Sequence, residues 1–496
     1  MFLTESKIKK LYSEYKKKGT ELYQKNKLPL SLRYWQAAAY TAYTFYLEDT
    51  DAEIEEGLHR FSEQIDTKHV ADCSSDRCVF YDAHSNDKGA LTQQYIRAIF
   101  EAGWKMLYIT EKPKPDSKFL PILKELEQHS DRVTIQYLPS QIIGKERLQL
   151  IYDSVVNWGG DKLFMHLYPW SVYAVATFQV LPSSITRYHI NHTDHTFWAG
   201  VSCVDYNFEF REYGCNVSFH HRGIDASKLL LMPFYPIESD DAFIGFPFDT
   251  EGKIIVFSGG GYYKTFDEHD TYLHICKNLI DADPRVNIVY AGLGDKIDFQ
   301  NRLLKNGITE RFHLLGFRKD LSAIYEHSDF YLNTYPINGG LMCSFAAMHA
   351  VPILAYYSGE NVRAESIVCQ IGNVEISSSS IGELTDKAKS LFDDEDKRRA
   401  YGESIRACSI MHSQFNKFFR LSVATGKTQF PFTIDKDFVK PDLNRPAKIN
   451  MINSGKAYQK NLVRILGYSE LIFTHPTIAV EAVIWRGRTL LKKMTK

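Results

Sequence analysis

No stretch of this sequence is long and apolar enough to be expected to cross a membrane. A spanning helix needs about 18 or more consecutive apolar residues, and no run in the 496 residues approaches that length. The opening residues, MFLTESKIKK, carry lysines without the apolar segment that follows the charged start of a signal peptide. We therefore expect a cytoplasmic protein, with any membrane contact peripheral.

Paired cysteines and an excess of one charge sign are also missing. The 8 cysteines are scattered singly, and the closest pair, Cys73 and Cys78, has no second pair at the spacing of a zinc site. This pattern favours reduced thiols over a disulfide framework. The formal net charge is −1, so no basic field attracts nucleic acid, and we expect no nucleic-acid partner.

What is present is a large chain of ordinary globular composition. Hydrophobic residues make up 44% and charged residues 24%, and a chain of this length normally divides into two or more domains. Aromatic residues reach 14%. This content suits a site that stacks sugars or bases, but buried cores use aromatic side chains equally well.

The first 72 residues show helical periodicity. Apolar residues between Leu22 and Ala42 recur at helical spacing around a break at Pro29. Two or three helices are predicted for this N-terminal helical region.

Residues 73–236 alternate short apolar runs with helical segments. This alternation predicts βαβ crossovers and a parallel sheet that helices cover on both faces. The predicted strands are 77–82, 105–110, 133–138, 162–167, 185–190 and 204–210.

A linker over residues 233–252, rich in proline and acidic residues, precedes a second alternating region at 253–425. Two Rossmann-like lobes of this kind would bind ligands in a cleft beyond the carboxyl ends of their strands. A single α/β domain followed by a partner-binding domain is the alternative. Residues 426–496 form a C-terminal extension. The predicted strands of the second region are 253–258, 286–291, 312–315, 330–333 and 351–356.

A glycine-rich loop with a lysine follows the first strand of the second region. Its residues Gly260 and Gly261 allow close approach of the backbone to a ligand, and Lys264 supplies a mobile cation for phosphate. Strand-to-helix turns of this type are common in sheets that bind no phosphate, so the loop alone is a weak signal.

A more specific pattern runs from Asp329 to Leu354. A strand ends in a turn that contains Asn338, Gly339 and Gly340, and a helix is predicted to begin near Leu341. The exposed N–H groups of that helix start suit a diphosphate. The alternative is a plain βαβ turn with a glycine cap.

Residues 338–352 resemble, without gaps, the donor-binding block of GT-B glycosyltransferases, in particular O-linked N-acetylglucosamine transferase and related bacterial cytosolic glycosyltransferases. Tyr263-Lys264-Thr-Phe-Asp267 is similar to the element whose lysine meets the donor phosphates in that family. The resemblance covers about residues 253–410 well. It implies the GT-B fold: two Rossmann-like lobes with an interlobe cleft, here preceded by a short helical region.

The resemblance also implies further donor contacts. Phe317 stands in the loop that usually cradles the nucleotide base, and Glu360 stands in the family's next loop. The sequence departs from the family at Phe345, where the ribose-binding carboxylate falls, and at Leu341 and Met342, where paired hydroxyls fall. Phe345 cannot accept a hydrogen bond from ribose.

The candidate general bases lie in the first lobe. His192, Asp194 and His195 follow a predicted strand, and Asp194 could orient a histidine base. His84 and Asp87, in the first strand-to-helix loop, are rival bases. A set of capping and core histidines is the structural alternative.

We expect no metal site and no separate cofactor. No thiolate or helical pair of histidines accompanies the histidine-rich segment. Asp49-Thr-Asp51 and Asp281-Ala-Asp283 imitate the metal-binding motif of another glycosyltransferase fold, but their positions favour helix caps or turns.

At the C-terminus, an apolar stretch over 478–485 precedes a segment with several cations. A cationic tail of this kind could contact an anionic membrane surface, although a solvated end is an equal alternative. The cations are Arg486, Arg488, Lys492, Lys493 and Lys496.

These features together predict metal-independent transfer of a hexosyl or N-acetylhexosaminyl group from a nucleotide-diphosphate sugar. The predicted acceptor is a glycan of an envelope polysaccharide, lipid-linked or free, or a protein. A non-catalytic GT-B partner that binds and stabilises a glycosyltransferase or glycoprotein is the alternative from another class. Nucleotide-sugar 2-epimerases share the architecture, but they use several carboxylates that this sequence does not show.

Overall fold

The computed structural model describes residues 3–68, 73–86, 91–117, 119–238, 240–359, 361–440 and 457–484. The chain divides into two compact units. The first comprises Met1–Asp87, Tyr95–Leu231 and Arg420–Lys496, and the second comprises Lys88–Gln94 and Met232–Phe419. The N-terminal helices therefore belong to the same unit as the first sheet, and the chain returns to that unit at Arg420.

The first unit contains a parallel sheet of seven strands in the order β3-β2-β1-β4-β5-β6-β7. Its central strands end in runs of buried residues, as expected for strands that are covered on both faces. The strands are β1 Ser74–Asp82, β2 Lys105–Thr110, β3 Val133–Tyr137, β4 Gly160–His166, β5 Thr186–Ile190, β6 Tyr206–Glu209 and β7 Leu229–Leu231.

From the start of the chain to β7, the described residues form eight α-helices. The first three form the N-terminal helical region, and the others connect or flank the strands. They are α1 Glu5–Gln24, α2 Leu28–Phe45, α3 Ala52–Ser62, α4 Leu91–Glu101, α5 Leu120–Glu127, α6 Gly144–Trp158, α7 Val172–Phe178 and α8 Glu212–His220.

The three N-terminal helices pack around Trp35, which is 2% exposed. Gly19 on α1 and Gly57 on α3 face its indole ring, and a Cβ atom on Gly57 would lie 2.6 Å from Cζ2 of Trp35. Pro29 stands in the first turn of α2, where its missing N–H costs no helical hydrogen bond. The predicted break at Pro29 is therefore the start of a helix.

The second unit contains a parallel sheet of six strands in the order β10-β9-β8-β11-β12-β13. Its core lies on both faces of the sheet and consists mainly of aliphatic and aromatic side chains. The strands are β8 Ile254–Gly259, β9 Val286–Ala291, β10 Phe312–Gly316, β11 Phe330–Leu332, β12 Ile353–Tyr356 and β13 Ser377–Ser378.

The remaining helices follow in chain order, and the last of them return to the first unit. In the second unit they begin as α9 Thr271–Ala282, α10 Lys296–Lys305, α11 Leu321–Glu326, α12 Gly340–Met348, α13 Glu365–Val368, α14 Ile381–Phe392 and α15 Glu395–Ala407. Helix α16, His412–Thr425, begins in the second unit and ends in the first. Helices Ala457–Leu466 and Tyr468–Thr474 and the helical residues 476–484 follow.

The predicted α/β class with two Rossmann-like sheets is confirmed. Every predicted strand is present, and each of its ends lies within three residues of the predicted position. The prediction missed β7 and β13, which have three and two residues and so offer too little pattern to recognise.

We predict that Gly57→Ala lowers the free energy of unfolding by about 1–3 kcal/mol, because the new methyl group overlaps the Trp35 ring. Alanine otherwise favours a helix over glycine. The control is Gly382→Ala on α14, where the nearest atom to a Cβ is Oγ of Ser380 at 3.9 Å. Urea unfolding should show a loss for Gly57→Ala and none for the control, and equal stabilities would contradict this packing.

Candidate functional site

The strand order of each sheet reverses beside its first strand. In the first sheet β1 lies between β2 and β4, and in the second β8 lies between β9 and β11. Ligands of open parallel sheets bind beyond the carboxyl ends of the strands at such a switch point. A ligand is therefore expected at the loops that follow β1, β4, β8 and β11.

In the second unit, the glycine-rich loop and Lys264 meet the turn that precedes α12. The Lys264 Nζ donates a hydrogen bond of 3.3 Å to the carbonyl oxygen of Asn338. The backbone N–H of Ile337 donates to the Lys264 carbonyl oxygen, also at 3.3 Å. Burial lowers the pKa of Lys264 from its usual value. The lysine is thus held beside the start of α12.

Gly260 gives the loop its shape. Its φ of +136° is a conformation that side chains rarely adopt, and its N–H donates to the Ala291 carbonyl oxygen at 2.9 Å. Residues Tyr262–Thr265 then form a 3₁₀ turn that carries Lys264, and Gly261 directly precedes it. The loop therefore turns back over the end of β9 and brings its lysine to the switch point.

The turn before α12 is fixed by side-chain amides. Asn333 Oδ1 accepts a hydrogen bond of 2.9 Å from the Gly339 N–H. The Asn338 side-chain amide donates to the carbonyl oxygen of Val362. Helix α12 begins at Gly340, and the N–H of Cys343 bonds the Gly339 carbonyl oxygen at 2.9 Å. Because the preceding N–H groups of a helix have no intrahelical partner, they can receive an anion.

Two buried tyrosine hydroxyls lie close to these glycines. A Cβ atom on Gly339 would lie 2.8 Å from Oη of Tyr331, and one on Gly260 would lie 3.9 Å from Oη of Tyr290. Neither hydroxyl has a hydrogen-bond partner in the part of the chain that the structure describes. Burial raises the pKa of both tyrosines, so each stays a neutral donor at physiological pH.

Phe345 stands where the resembled GT-B proteins have a ribose-binding carboxylate, and it is a core residue. Phe345 is 7% exposed, and its ring stacks on Tyr325 with centroids 6.0 Å apart. The Tyr325 hydroxyl donates to the Met342 carbonyl oxygen at 2.7 Å. The nearby Ser344 Oγ donates to the Gly340 carbonyl oxygen at 3.3 Å. Phe345 therefore anchors α12 to the core.

The other predicted donor residues differ in how they are placed. Leu341 lies in the first turn of α12 and is half-buried. Phe317 follows the end of β10 and is 67% exposed. Glu360 lies outside the described residues.

In the first unit, three histidines meet where β1, β4 and β5 end. The ring centroids of His84 and His166 are 4.4 Å apart, and those of His166 and His192 are 4.2 Å apart. His84 Nε2 donates to the Leu167 carbonyl oxygen at 3.1 Å. In the neutral imidazole the basic nitrogen of His84 is therefore Nδ1. Asp87 lies outside the described residues.

Asp82 organises this cluster. Its Oδ1 accepts from the backbone N–H of His84 at 2.9 Å and of Ser85 at 3.0 Å, and lies 3.0 Å from His166 Nδ1. Its Oδ2 accepts from the Tyr108 hydroxyl. Burial raises the pKa of Asp82, although the hydrogen bonds that its carboxylate accepts act to lower it. One carboxylate thus fixes the loop of His84 and the ring of His166.

His195 lies in a different environment from His192. Its Nδ1 is 3.2 Å from Asp194 Oδ1, and its ring lies edge-on to Tyr46. Burial raises the pKa of the Asp194 carboxyl, but Arg211, which forms two hydrogen bonds with it, holds the pKa below its usual range. Asp194 therefore orients His195 and is neutralised by Arg211 at the same time.

Several ionisable groups that the sequence analysis did not single out lie beside the candidate residues of the first unit. Asp82 and His166 occupy strand ends, which is the signal that could have revealed them. Glu209, at the end of β6, accepts hydrogen bonds from Asn191, and burial raises its pKa to about 7. Arg222 is buried and donates to the Thr196 carbonyl oxygen at 2.7 Å.

In each aspartate pair the second residue is a cap or turn residue, as predicted, whereas Asp49 pairs with Lys440 and Asp281 pairs with Lys277. Asp51 caps α3 by accepting from the N–H groups of Glu53 and Ile54. Asp283 accepts from the N–H of Arg285 at 2.8 Å. Among the described residues, no group of three or more His, Cys, Asp or Glu side chains is arranged to hold a metal ion.

The fold of this chain has counterparts among solved structures. HepE of Anabaena, in complex with UDP and glucose, is 13% identical, with 70% of this chain and 99% of that chain covered and a TM-score of 0.51. A mutant of the O-GlcNAc transferase of Thermobaculum terrenum is 16% identical. The match covers 84% of this chain and 81% of that chain, with a TM-score of 0.51. A glycosyltransferase of Rickettsia africae is 12% identical. The match covers 71% of this chain and 98% of that chain, with a TM-score of 0.52.

This chain has the GT-B fold. The predicted fold class and the predicted likeness to GT-B proteins are thereby confirmed. No protein-family model and no curated protein matches the sequence. No helix in the described ranges is long and apolar enough to cross a membrane.

Proposed function

We propose that this chain is a glycosyltransferase that moves a sugar from a nucleotide-diphosphate donor to a glycan or protein acceptor. The observation that carries the proposal is the contact of Lys264 with the start of α12 at the switch point of the second sheet. The GT-B fold supports it, because HepE, which shares that fold, was solved with UDP and glucose.

The donor diphosphate would bind between the lysine and the helix start. Lys264 and the free N–H groups after Gly339 supply positive charge where the leaving diphosphate gains negative charge. The hydroxyls of Tyr290 and Tyr331 are further donors close to the glycines of this site. Phe317 is exposed at the end of β10 and would stack on the base.

The charge on the leaving group would be met without a metal ion. Lys264 and the helix N-terminus provide the stabilisation that a divalent cation supplies in other transferases. Phe345 gives the ribose no acceptor from the core of α12. We therefore propose that the phosphates and the base, rather than a carboxylate on α12, hold the nucleotide.

The acceptor would be deprotonated by a histidine of the first unit. His84 and His192 lie at the switch point of the first sheet, where Asp82 fixes the loop of His84. His195 is oriented by Asp194 and is the rival base. We favour the histidines at the switch point, because ligands of such sheets bind there. We propose that the donor carries a hexosyl or N-acetylhexosaminyl group and that the acceptor is an envelope glycan or a protein.

We predict that Lys264→Ala lowers turnover by roughly two to three orders of magnitude, because one charge partner of the leaving group is lost. Lys253→Ala is the matched control, because Lys253 is exposed just before the amino end of the same strand, β8. Initial rates with UDP-sugars and other nucleotide sugars should be measured with and without excess chelator, and the chelator should leave the wild-type rate unchanged.

A loss of turnover of less than about threefold for Lys264→Ala would contradict a role in binding the phosphates, since removal of one such contact to the transition state lowers turnover far more. Strict dependence on Mg²⁺ or Mn²⁺ would contradict the metal-independent reaction. If no nucleoside diphosphate raises the melting temperature of the wild type, the chain is a non-catalytic partner instead.

We predict that His84→Ala or His192→Ala lowers turnover by about a hundredfold or more while donor affinity stays unchanged, as expected for loss of a general base. His274→Ala on α9 is the control, because that histidine is exposed in the other unit. Steady-state rates and nucleotide affinity should be measured for each variant. A large loss confined to His195→Ala would assign the base to the Asp194 pair.

A further inference from the structure

Glu209 is a carboxylate at the carboxyl end of β6, the strand that pairs with β5. Its side chain is fully buried. The Asn191 side-chain amide donates to both of its oxygens at 2.9 Å, and the Asn207 amide donates to Oε1 at 2.6 Å. The Ser218 hydroxyl also donates to Oε1. Donors on every side suit an ionised carboxylate, which can only accept.

Glu209 determines which way the Asn191 side chain faces. Because the carboxylate accepts from the amide nitrogen of Asn191, the amide oxygen is directed at the N–H of Thr193 and accepts from it at 2.7 Å. A reversed amide would place its oxygen against the carboxylate and its nitrogen against the N–H of Thr193. Both contacts would then be lost, so the charge on Glu209 fixes the orientation of Asn191.

Thr193 belongs to the segment 191–195, which follows β5 and carries two of the candidate bases. We refer to this segment as the histidine loop. Asn191 holds one side of it, and the buried Arg222 holds the other by donating to the carbonyl oxygens of Thr193 at 3.1 Å and Asp194 at 3.2 Å. Because the contacts of Arg222 remain when Asn191 turns away, we expect that change to loosen the histidine loop without unfolding it.

Helix α8 keeps Glu209 against the histidine loop. At Gly214, a Cβ atom would lie 2.3 Å from Glu209 Oε2 and 3.0 Å from Cβ of Asp194. The backbone of α8 therefore touches the carboxylate and the loop at the same point. The Glu209 side chain has no room to swing away from Asn191.

Protonation of Glu209 would disturb this arrangement. Burial raises the pKa of Glu209 to about 7, while Arg222 acts to lower the pKa and Asp194 acts to raise it. A protonated carboxyl carries an O–H donor, which would face other donors here. The ionisable groups that interact electrostatically with Glu209 lie on the histidine loop, on α4, and on α8 and its flanks. They are Asp194, Tyr95, Arg211, Cys215 and Arg222.

We propose that Glu209 is a positioning residue for the histidine loop and acts through Asn191. The ionised carboxylate orients the Asn191 amide, and the amide holds the N–H of Thr193. Loss of the negative charge, by protonation or by substitution, turns the amide and releases that N–H. The catalytic consequence rests on the proposed transferase function, whereas the link between Glu209 and the loop rests on the contacts alone.

Hydrogen–deuterium exchange of the full chain tests this link without any substrate. At pH 8, Glu209→Gln should speed exchange of the Thr193 N–H about tenfold or more, because that group loses its acceptor. Once intrinsic rates are corrected for, the wild type at pH 6 should approach the variant. The control, Glu146→Gln, changes an exposed glutamate in the first turn of α6 and should exchange like the wild type.

A second substitution should rescue the first. In Glu209→Gln/Asn191→Asp, the new carboxylate at position 191 can accept from the Gln side chain and from the Thr193 N–H, so slow exchange should return. In a transferase assay at pH 8, Glu209→Gln should lower turnover about tenfold or more with donor affinity unchanged. It should also abolish the rise in turnover that the wild type shows between pH 6 and pH 8, and the double variant should regain turnover.

The link is overturned if Glu209→Gln exchanges like the wild type at pH 8, or if the double variant exchanges as fast as the single one. Should Glu209→Gln fail to fold, as judged by circular dichroism, equal exchange of the wild type at pH 6 and pH 8 overturns it. Normal turnover and an unchanged pH profile in a variant with a loosened loop would overturn the positioning role. If no nucleotide sugar is turned over by the wild type, the transferase function fails, and the exchange rates still decide the link.

Discussion

Both units depend on the same constraint, the reversal of strand order beside the first strand of a parallel sheet. Because the connections of neighbouring strands leave in opposite directions there, the loops that follow β8 and β11 both lie at the carboxyl edge beside the switch point. Gly260 bends the first of these loops over β9, and Asn333 holds the second by its bond to the Gly339 N–H. Lys264 then lies beside the start of α12.

The two switch points carry different chemistry. The second sheet offers a lysine and backbone N–H groups, which suit an anion that gains charge during a reaction. The first offers imidazoles fixed by Asp82, which suit proton transfer. Under the proposed function, the groups of the second sheet meet the phosphate leaving group, and an imidazole of the first sheet takes the proton of the acceptor.

The fold and the segment around Asn338 were predictable because both depend on local sequence patterns. Runs of apolar residues indicate the buried strands, and a glycine-containing turn before an apolar segment indicates the start of α12. The link between Asp82 and His166 was not, because the two residues are far apart in sequence and meet only when β1 pairs with β4. The core position of Phe345 was also not predicted from the sequence. Its position in a motif suggested a place near a ligand, whereas its contact with Tyr325 places it in the core.

We propose that a nucleoside diphosphate binds at the switch point of the second sheet. Hydrogen–deuterium exchange with and without UDP, and with other nucleoside diphosphates, tests this most directly, because exchange reports protection of individual backbone N–H groups. We expect bound nucleotide to slow exchange in peptides that cover residues 260–265 and 337–343. Saturating nucleotide that protects neither segment, or that protects a different part of the second unit, would contradict it.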